Sequence, residues 1–155
     1  MEFDMKIVFV CHGNICRSPM AEFIFKRMVD DAGLTDKFEI ISRATSAEEL
    51  GNPVYPPARA ELMRHGLSCE GKYAVQLTRS DYEKYDLFIG MDNANIRNMH
   101  RLFGGDPEGK ITRLMDYTGR GGEVSDPWYS GKFDITYRDV HNGCAALFEK
   151  LRENM

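Results

Sequence analysis

A nine-residue string near the N-terminus, Cys11–Pro19, constrains the fold of this chain more than any other segment. It follows a short apolar and largely β-branched run over 6–10, and such a run predicts a buried strand. The segment 19–32 follows it, and its apolar residues recur on one helical face, which predicts a helix. We therefore expect the string to be a loop that joins the carboxyl end of a buried strand to a helix.

Segments typical of strands and helices alternate along the rest of the chain. Further strands are predicted at 38–41, 86–90 and 110–115, and further helices near Asp81 and at 59–64, 92–102 and 134–152. This alternation implies an α/β fold with parallel strands, right-handed crossovers and helices on both faces of the sheet. Ligands of such sheets bind beyond the carboxyl ends of the strands, so the first loop is the first place to expect a site.

Size and charge exclude several classes of protein. The 155 residues predict a single domain over 1–155. The net charge of −4, with no basic tract, argues against a nucleic-acid partner or an anionic membrane partner. No apolar run approaches the roughly 20 residues of a membrane span, and the acidic N-terminus does not match a secretory leader. We therefore expect a cytoplasmic protein whose 4 cysteines are free thiols, with no structural metal site.

The loop residues favour binding of an anion. Pro19 suits the first position of a helix, which makes Ser18 the predicted N-cap. A helix N-terminus presents unpaired amide N–H groups, and a curled loop ahead of it forms an anion nest. We expect Gly13 to adopt a backbone angle that other residues resist, and Asn14 to tie the loop through its side chain.

Two side chains add chemistry to this nest. Cys11 opens the loop, and a thiol beside a guanidinium at a helix N-terminus favours its thiolate form. Arg17 can hold two oxygens of a phosphate group through its planar fork. A nucleophile at the base of a phosphate cradle indicates attack on phosphorus and a phosphocysteine intermediate. The alternative is that Cys11 is a buried core residue, as free cysteines commonly are.

The string resembles the motif of the low-molecular-weight protein tyrosine phosphatases, which carry Gly-Asn and Cys-Arg-Ser-Pro in such a loop near the N-terminus. The resemblance covers nearly the whole chain. It implies a three-layer α/β/α fold with a four-stranded parallel sheet, and hydrolysis of phosphotyrosine without a metal or cofactor. It makes Cys11 the nucleophile and Arg17 the phosphate clamp. It also implies that phosphate or another oxyanion is bound by the whole loop, namely His12, Gly13, Asn14, Ile15, Cys16, Arg17 and Ser18.

A phenolate leaving group departs more easily when it is protonated, so a carboxylic acid is expected near the loop. Asp126 is a better candidate than Glu123 because Pro127 stiffens the segment that carries it. A plain Asp-Pro turn is the alternative. The family has an Asp-Pro pair followed by two aromatic residues here, which implies that Asp126 is the general acid and base and that Trp128 and Tyr129 flank the substrate ring.

Other positions follow from the same resemblance. Ser42 matches a serine that hydrogen-bonds the loop asparagine, and His65 matches a histidine that braces the loop. Two positions depart from the pattern: Lys72 replaces a second histidine, and Glu48 stands where an aromatic wall is usual, so we expect a substrate pocket open on one side. Cys16 is expected to trap oxidised Cys11 as a disulfide; its alternative role is that of a small buried residue.

Three other functions share parts of this pattern. A thioredoxin-linked arsenate reductase has a similar Cys-Arg loop but needs two further neighbouring cysteines, whereas Cys69 and Cys144 are far apart in the sequence and are predicted to be core thiols. A phosphotyrosine-binding module needs neither Cys11 nor Asp126. A cysteine-phosphorylated sugar-transport component does not need Asp126 either.

Overall fold

The computed structural model describes residues 3–153 and contains one four-stranded sheet within that range. The strands are all parallel and lie in the order β2-β1-β3-β4. Their bounds are β1 Met5–Cys11, β2 Phe38–Ala44, β3 Leu87–Gly90 and β4 Ile111–Arg113. The predicted parallel sheet with helices on both faces is therefore confirmed.

Six helices alternate with the strands in the described part of the chain. They are α1 Arg17–Asp31, α2 Pro56–Arg64, α3 Asp81–Lys84, α4 Asn93–Phe103, α5 Pro127–Ser130 and α6 Phe133–Arg152. Each predicted helix exists, with boundaries shifted by up to three residues. Short 3-10 turns at Thr35–Lys37 and Leu114–Tyr117 precede β2 and follow β4.

The central strand β1 separates two apolar layers because successive side chains of a strand point to opposite faces. Ile7 and Phe9 belong to the layer that includes α1, α2 and α6. Val8 and Val10 belong to the smaller layer that includes Phe88 and residues of α3 and α4. All four β1 side chains are completely buried, so the strand that leads to the loop is fixed from both faces.

Three predicted boundaries are wrong in ways that concern the site. Helix α1 begins at Arg17, so Ser18 lies inside the first turn and is not the N-cap. Strand β2 continues to Ala44, which places Ser42 within the strand instead of after it. Strand β4 ends at Arg113 because the chain turns into the 3-10 segment that follows.

The carboxyl ends of β1, β2 and β3 meet at one edge of the sheet, where Cys11 pairs with Ala44 and Val10 pairs with Gly90. A Cβ atom added to Gly90 would lie 3.0 Å from the Cβ of Asn95, so glycine lets the start of α4 approach this edge closely.

Across residues 3–153, no helix combines the length and apolar character that crossing a bilayer requires.

Candidate active site

The loop between β1 and α1 curls around a left-handed residue, and that residue is Asn14, with φ of 58°. Asparagine tolerates this conformation better than most residues do. The expectation that Gly13 supplies the unusual angle is wrong, since its φ lies outside the left-handed range. A Cβ at Gly13 would instead approach the Cγ of Glu49 to 3.3 Å, so glycine serves close packing here.

A chain of hydrogen bonds converges on the Cys11 sulfur. Asn14 Nδ2 donates to Ser18 Oγ at 2.8 Å, and Ser18 Oγ in turn lies 2.9 Å from Cys11 Sγ in a hydrogen bond that either group can donate. The backbone N–H of Asn14 also donates to Cys11 Sγ at 3.3 Å. Hydrogen bonds from two residues therefore hold the buried sulfur in place. The structure thus places Cys11, Asn14 and Ser18 in one connected unit, although the predicted cap role of Ser18 fails.

Neighbouring segments hold the loop in this shape. The N–H of Val75 donates to Asn14 Oδ1 at 3.1 Å, and the N–H of Tyr55 donates to the Ile15 carbonyl at 2.9 Å. The N–H of Thr45 donates to the carbonyl of Cys11 at 3.0 Å. Residues from three different segments therefore fix a loop that has few regular backbone hydrogen bonds of its own.

Arg17 is 5% exposed and faces two carboxylates. Its Nη2 lies 2.9 Å from Asp92 Oδ2 and 3.5 Å from Asp126 Oδ2, and its Nη1 donates to the Val124 carbonyl at 3.4 Å. Burial by itself lowers the pKa of Arg17, but Cys11, Asp126 and Asp92 outweigh it and raise the pKa above its usual range. The guanidinium is thus a permanent positive charge beside the sulfur.

Asp126 uses its two oxygens differently. Oδ1 accepts from the N–H of Trp128 at 3.0 Å and caps the short helix α5, which Pro127 begins. Oδ2 faces Arg17 and is therefore the oxygen turned toward the loop after β1. Trp128 packs on Tyr55 with ring centroids 5.2 Å apart, and Tyr129 is 87% exposed beside it.

These groups line a cavity of about 520 Å³, and Arg17, Asp92 and Asp126 also face a neighbouring cavity beside Val124. The floor of the first cavity is the loop after β1, with Cys11 and Arg17, and its sides carry Asp92, Asp126 and the aromatic pair of α5. The lining residues are Cys11, His12, Gly13, Ile15, Cys16, Arg17, Glu48, Glu49, Asp92, Ala94, Asn95, Asp126, Trp128 and Tyr129. Asn14 and Ser18 lie beneath this floor, where they hold the sulfur.

On the side of the cavity where the resemblance implies an aromatic residue, this chain has acidic residues instead. His12 Nε2 lies 2.8 Å from Glu48 Oε2, and the two side chains are 54% and 69% exposed. His12 therefore reaches the rim with its side chain, so any contact it makes with phosphate comes from its backbone. Glu49 lines the cavity next to Glu48.

Ser42 does not bond to Asn14, and that expectation is wrong. The Ser42 hydroxyl donates to Glu22 Oε1 at 2.6 Å, and both side chains are buried. Lys72 Nζ donates to the Ser42 carbonyl at 3.0 Å and lies 3.8 Å from Glu22 Oε1. Lys72, which departs from the family pattern, thus provides a positive charge beside the buried Glu22. Lys26 pairs with the other oxygen of Glu22 at 2.6 Å.

His65 does not brace the loop either. Its Nε2 bonds to Glu61 Oε2 at 3.0 Å, and its ring stacks on Tyr137 with centroids 3.7 Å apart. The Asn14 side chain is instead hydrogen-bonded to Ser18 and to the N–H of Val75, and these contacts support the loop. His65 instead joins the end of α2 to α6.

The four cysteines are free and buried, which agrees with the prediction that Cys69 and Cys144 belong to the core. Burial, the nearby Cys11 and Asp126 raise the pKa of Cys16 to about 12, so this thiol stays protonated at neutral pH. Burial also raises the pKa of Cys69 and of Cys144. Only Cys11 and Cys16 are among the residues that line the cavity.

Asp92 is the functional residue that sequence reasoning missed. Its place at the start of the predicted helix 92–102 indicates only a helix cap, and its Oδ1 does accept from the N–H of Asn95 at 2.8 Å. Its Oδ2 pairs with Arg17, which the local pattern could not show because the two residues are 75 positions apart in the chain.

Among the described residues, no group of three or more His, Cys, Asp or Glu side chains could hold a metal ion.

Comparison with known proteins agrees with this geometry. The family model for low molecular weight phosphotyrosine protein phosphatase matches residues 6–155. The protein-tyrosine-phosphatase YfkJ of Bacillus subtilis is 34% identical over 151 residues, covering 96% of this chain and 97% of its own length. Its crystal structure superimposes with a TM-score of 0.95, covering 99% of this chain and 98% of that chain at 33% identity.

Two further relatives extend the comparison. A low molecular weight phosphotyrosine protein phosphatase of Rattus norvegicus is 35% identical over 151 residues, covering 93% of this chain and 94% of its own. The tyrosine phosphatase Wzb of Escherichia coli K30, solved in complex with sulphate, is 25% identical with a TM-score of 0.83. That match covers 97% of this chain and 99% of Wzb.

Proposed function

Since the chain belongs to the low molecular weight phosphotyrosine protein phosphatase family, we propose that it hydrolyses phosphotyrosine in proteins, and small aryl phosphates, through a phosphocysteine on Cys11. One observation carries the proposal. The Cys11 sulfur is hydrogen-bonded to Ser18 and Asn14 on the floor of a cavity that Arg17 and Asp126 also line.

Cys11 acts as the nucleophile. The Ser18 hydroxyl and the Asn14 N–H stabilise its thiolate, and the positive charge of Arg17 lies alongside. The sulfur attacks phosphorus while the P–O bond to the phenol breaks, so the phosphoryl group passes from oxygen to sulfur. Since a thiolate is a good leaving group from phosphorus, the intermediate can then be hydrolysed.

Arg17 and the loop amides bind the phosphoryl oxygens. In the transition state these oxygens carry the developing charge, and fixed donors that point at them lower the barrier. The pairing of Arg17 with Asp92 holds the guanidinium at the cavity before substrate arrives. The relative Wzb was solved in complex with sulphate, which supports binding of an oxyanion by a protein of this fold. Phosphate, the product, is expected to bind the same place.

Asp126 moves the protons. In the first step its Oδ2, turned toward Arg17, carries a proton and donates it to the departing phenolate oxygen. In the second step the same carboxylate takes a proton from the water that attacks phosphorus. The S–P bond breaks, inorganic phosphate leaves and the Cys11 thiolate is restored. The N–H of Trp128 fixes the other oxygen of Asp126, which keeps the carboxyl in place for both steps.

Trp128 and Tyr129 are proposed to flank the phenyl ring of the substrate from α5. On the opposite side, Glu48 and Glu49 line the cavity in place of an aromatic wall. An aryl ring would thus be held from one side, and we expect modest selectivity for phosphotyrosine over other aryl phosphates.

We propose that the reaction needs no metal or cofactor, because Arg17, the loop amides and Asp126 together supply the charge and the protons. We also propose that the chain acts in the cytoplasm, where Cys11 stays a reduced thiol. Activity that persists after treatment with a chelator would support the first statement.

The function is tested with p-nitrophenyl phosphate and a phosphotyrosyl peptide, assayed without thioredoxin. The wild type should release phosphate from both, and Cys11→Ser should release none. Asp126→Ala should lose more activity on phenyl phosphate than on p-nitrophenyl phosphate, whose leaving group needs less protonation. Binding of aryl phosphate without turnover by the wild type would favour a binding module instead.

A further inference from the structure

Glu48 differs from the other carboxylates that line the cavity. Asp92 and Asp126 share Arg17, and Glu49 accepts a hydrogen bond from Asn52 at 2.6 Å. The Glu48 carboxylate faces only His12 within the described part of the chain, and it is 69% exposed. It is therefore the carboxylate at the mouth that is free to change partner.

The position of Glu48 is fixed by the backbone on which it sits. The segment after β2 is tied to the phosphate-binding loop, because the N–H and the hydroxyl of Ser46 both donate to the His12 carbonyl, at 3.1 and 2.9 Å. The Ser46 hydroxyl also accepts from the N–H of Glu48 at 3.4 Å. The carboxylate thus stands at the lip of the cavity and not on a long unsupported loop.

We propose that Glu48 selects phosphotyrosine that has a lysine or arginine beside it in the substrate chain; this rests on the proposed function. When the phosphotyrosine side chain fills the cavity, the neighbouring residues of the peptide lie at the lip. A cationic side chain there replaces His12 as the partner of Glu48. An acidic side chain there is repelled by the Glu48 carboxylate and by the negative charge of the phosphate.

His12 acts as an internal competitor in this arrangement. Its ring must be set free before Glu48 can hold a substrate cation, since Nε2 and Oε2 are already 2.8 Å apart. Removing the ring leaves Glu48 without that partner. The preference for a basic neighbour should then become stronger.

The test uses three phosphotyrosyl peptides that differ only in a lysine, glutamine or glutamate next to the phosphotyrosine, with p-nitrophenyl phosphate as a reference. For an exposed charge pair we expect kcat/KM for the lysine peptide to exceed that for the glutamine peptide by about 3-fold to 5-fold, mainly through KM. The advantage should shrink in high salt. The measured quantity is this ratio within each enzyme, so it does not depend on overall activity.

Glu48→Gln should bring the ratio close to one, Glu48→Lys should favour the glutamate peptide, and His12→Ala should raise the ratio. Glu149→Gln makes the same charge change at the far end of α6 and should keep the wild-type ratio. An equal ratio in wild type and Glu48→Lys would overturn the proposal even while all substrates are hydrolysed. If neither p-nitrophenyl phosphate nor any peptide is hydrolysed by the wild type, the proposed function itself fails.

Discussion

Arg17 and Asp92 form a partly buried ion pair, with Nη2 and Oδ2 2.9 Å apart and side chains that are 6% and 19% exposed. The same aspartate caps α4 with its other oxygen. One residue therefore orients the Arg17 guanidinium and starts the helix behind it. Because Asp92 caps α4 and Arg17 begins α1, the contact joins the two layers of the fold at the site.

Asp92→Asn separates these two roles, since asparagine is also a good N-cap. We expect Asp92→Asn to fold with nearly wild-type stability and to lose about tenfold in kcat/KM for p-nitrophenyl phosphate, because Arg17 loses a partly buried charged partner. Asp92→Ala should show the same kinetic loss and also lower the free energy of unfolding by about 1 kcal/mol. Steady-state kinetics and urea unfolding check both. An Asn variant with wild-type kinetics would show that Asp92 is only a cap.

The buried network below the loop makes a second prediction. Glu22→Gln leaves Lys72 as a buried charge without its carboxylate and should cost about 3 kcal/mol of stability. Lys72→Met should cost less than about 1 kcal/mol, because Lys26 still pairs with Glu22 and Arg43 still donates to the Ser42 carbonyl at 2.8 Å. Urea unfolding at neutral pH compares the two, and a larger loss for Lys72→Met would contradict this account.

The same lysine gives a pH dependence with a definite sign. Burial lowers the pKa of Lys72 below 10.5, and Glu22 offsets part of that effect. The unfolded chain therefore binds this proton more tightly than the folded chain does. Between the folded pKa and 10.5, the contribution of Lys72 to the free energy of unfolding should rise with pH. The difference in unfolding free energy between wild type and Lys72→Met should follow this rise, and a constant difference across the alkaline range would count against it.

Cys16 provides a prediction about oxidation. Burial is the main cause that raises the pKa of Cys16 to about 12 and keeps its thiol protonated, so an alkylating reagent at neutral pH should modify Cys11, the proposed nucleophile, first. After peroxide converts Cys11 to a sulfenic acid, we expect the Cys16 thiol to condense with it to a disulfide, with loss of water. Thiol should then restore the wild type but not Cys16→Ser. Full recovery of Cys16→Ser would assign Cys16 to packing alone.

Trp128 is the single tryptophan of the chain, and it lines the cavity while 58% exposed. Its fluorescence should therefore respond when vanadate or phosphate fills the loop. We expect this fluorescence change in wild type and in Cys11→Ser. In Arg17→Ala, the Kd for the oxyanion should rise by at least tenfold, because the anion loses a charged hydrogen-bond donor. Saturable binding of equal strength in Arg17→Ala would exclude Arg17 as the phosphate clamp.

The sequence could predict the parts of the molecule that are set by local pattern. The apolar run of β1, the loop and α1 are contiguous, so their order was visible, and Cys11 and Arg17 lie within that one segment. The supports of the loop were not predictable, because Val75, Tyr55 and Asp92 reach it through tertiary contacts. The partners of Ser42 and His65 were not predictable for the same reason.

Ser42 and His65 show why those corrections arise. Each has the residue type that the family pattern implies, but its partner depends on what else is buried nearby. Ser42 bonds to Glu22, whose charge Lys72 balances, and His65 finds Glu61 on its own helix. A pattern of residue types cannot decide between such partners without the packing.

The phosphocysteine is the central claim, and trapping it tests that claim most directly. Wild-type protein is mixed with radiolabelled p-nitrophenyl phosphate, quenched in milliseconds and digested, and the labelled peptide is identified by mass spectrometry. The account predicts phosphate on the sulfur of Cys11, with no label in Cys11→Ser. Turnover without any labelled protein, or label on a residue other than Cys11, would contradict it.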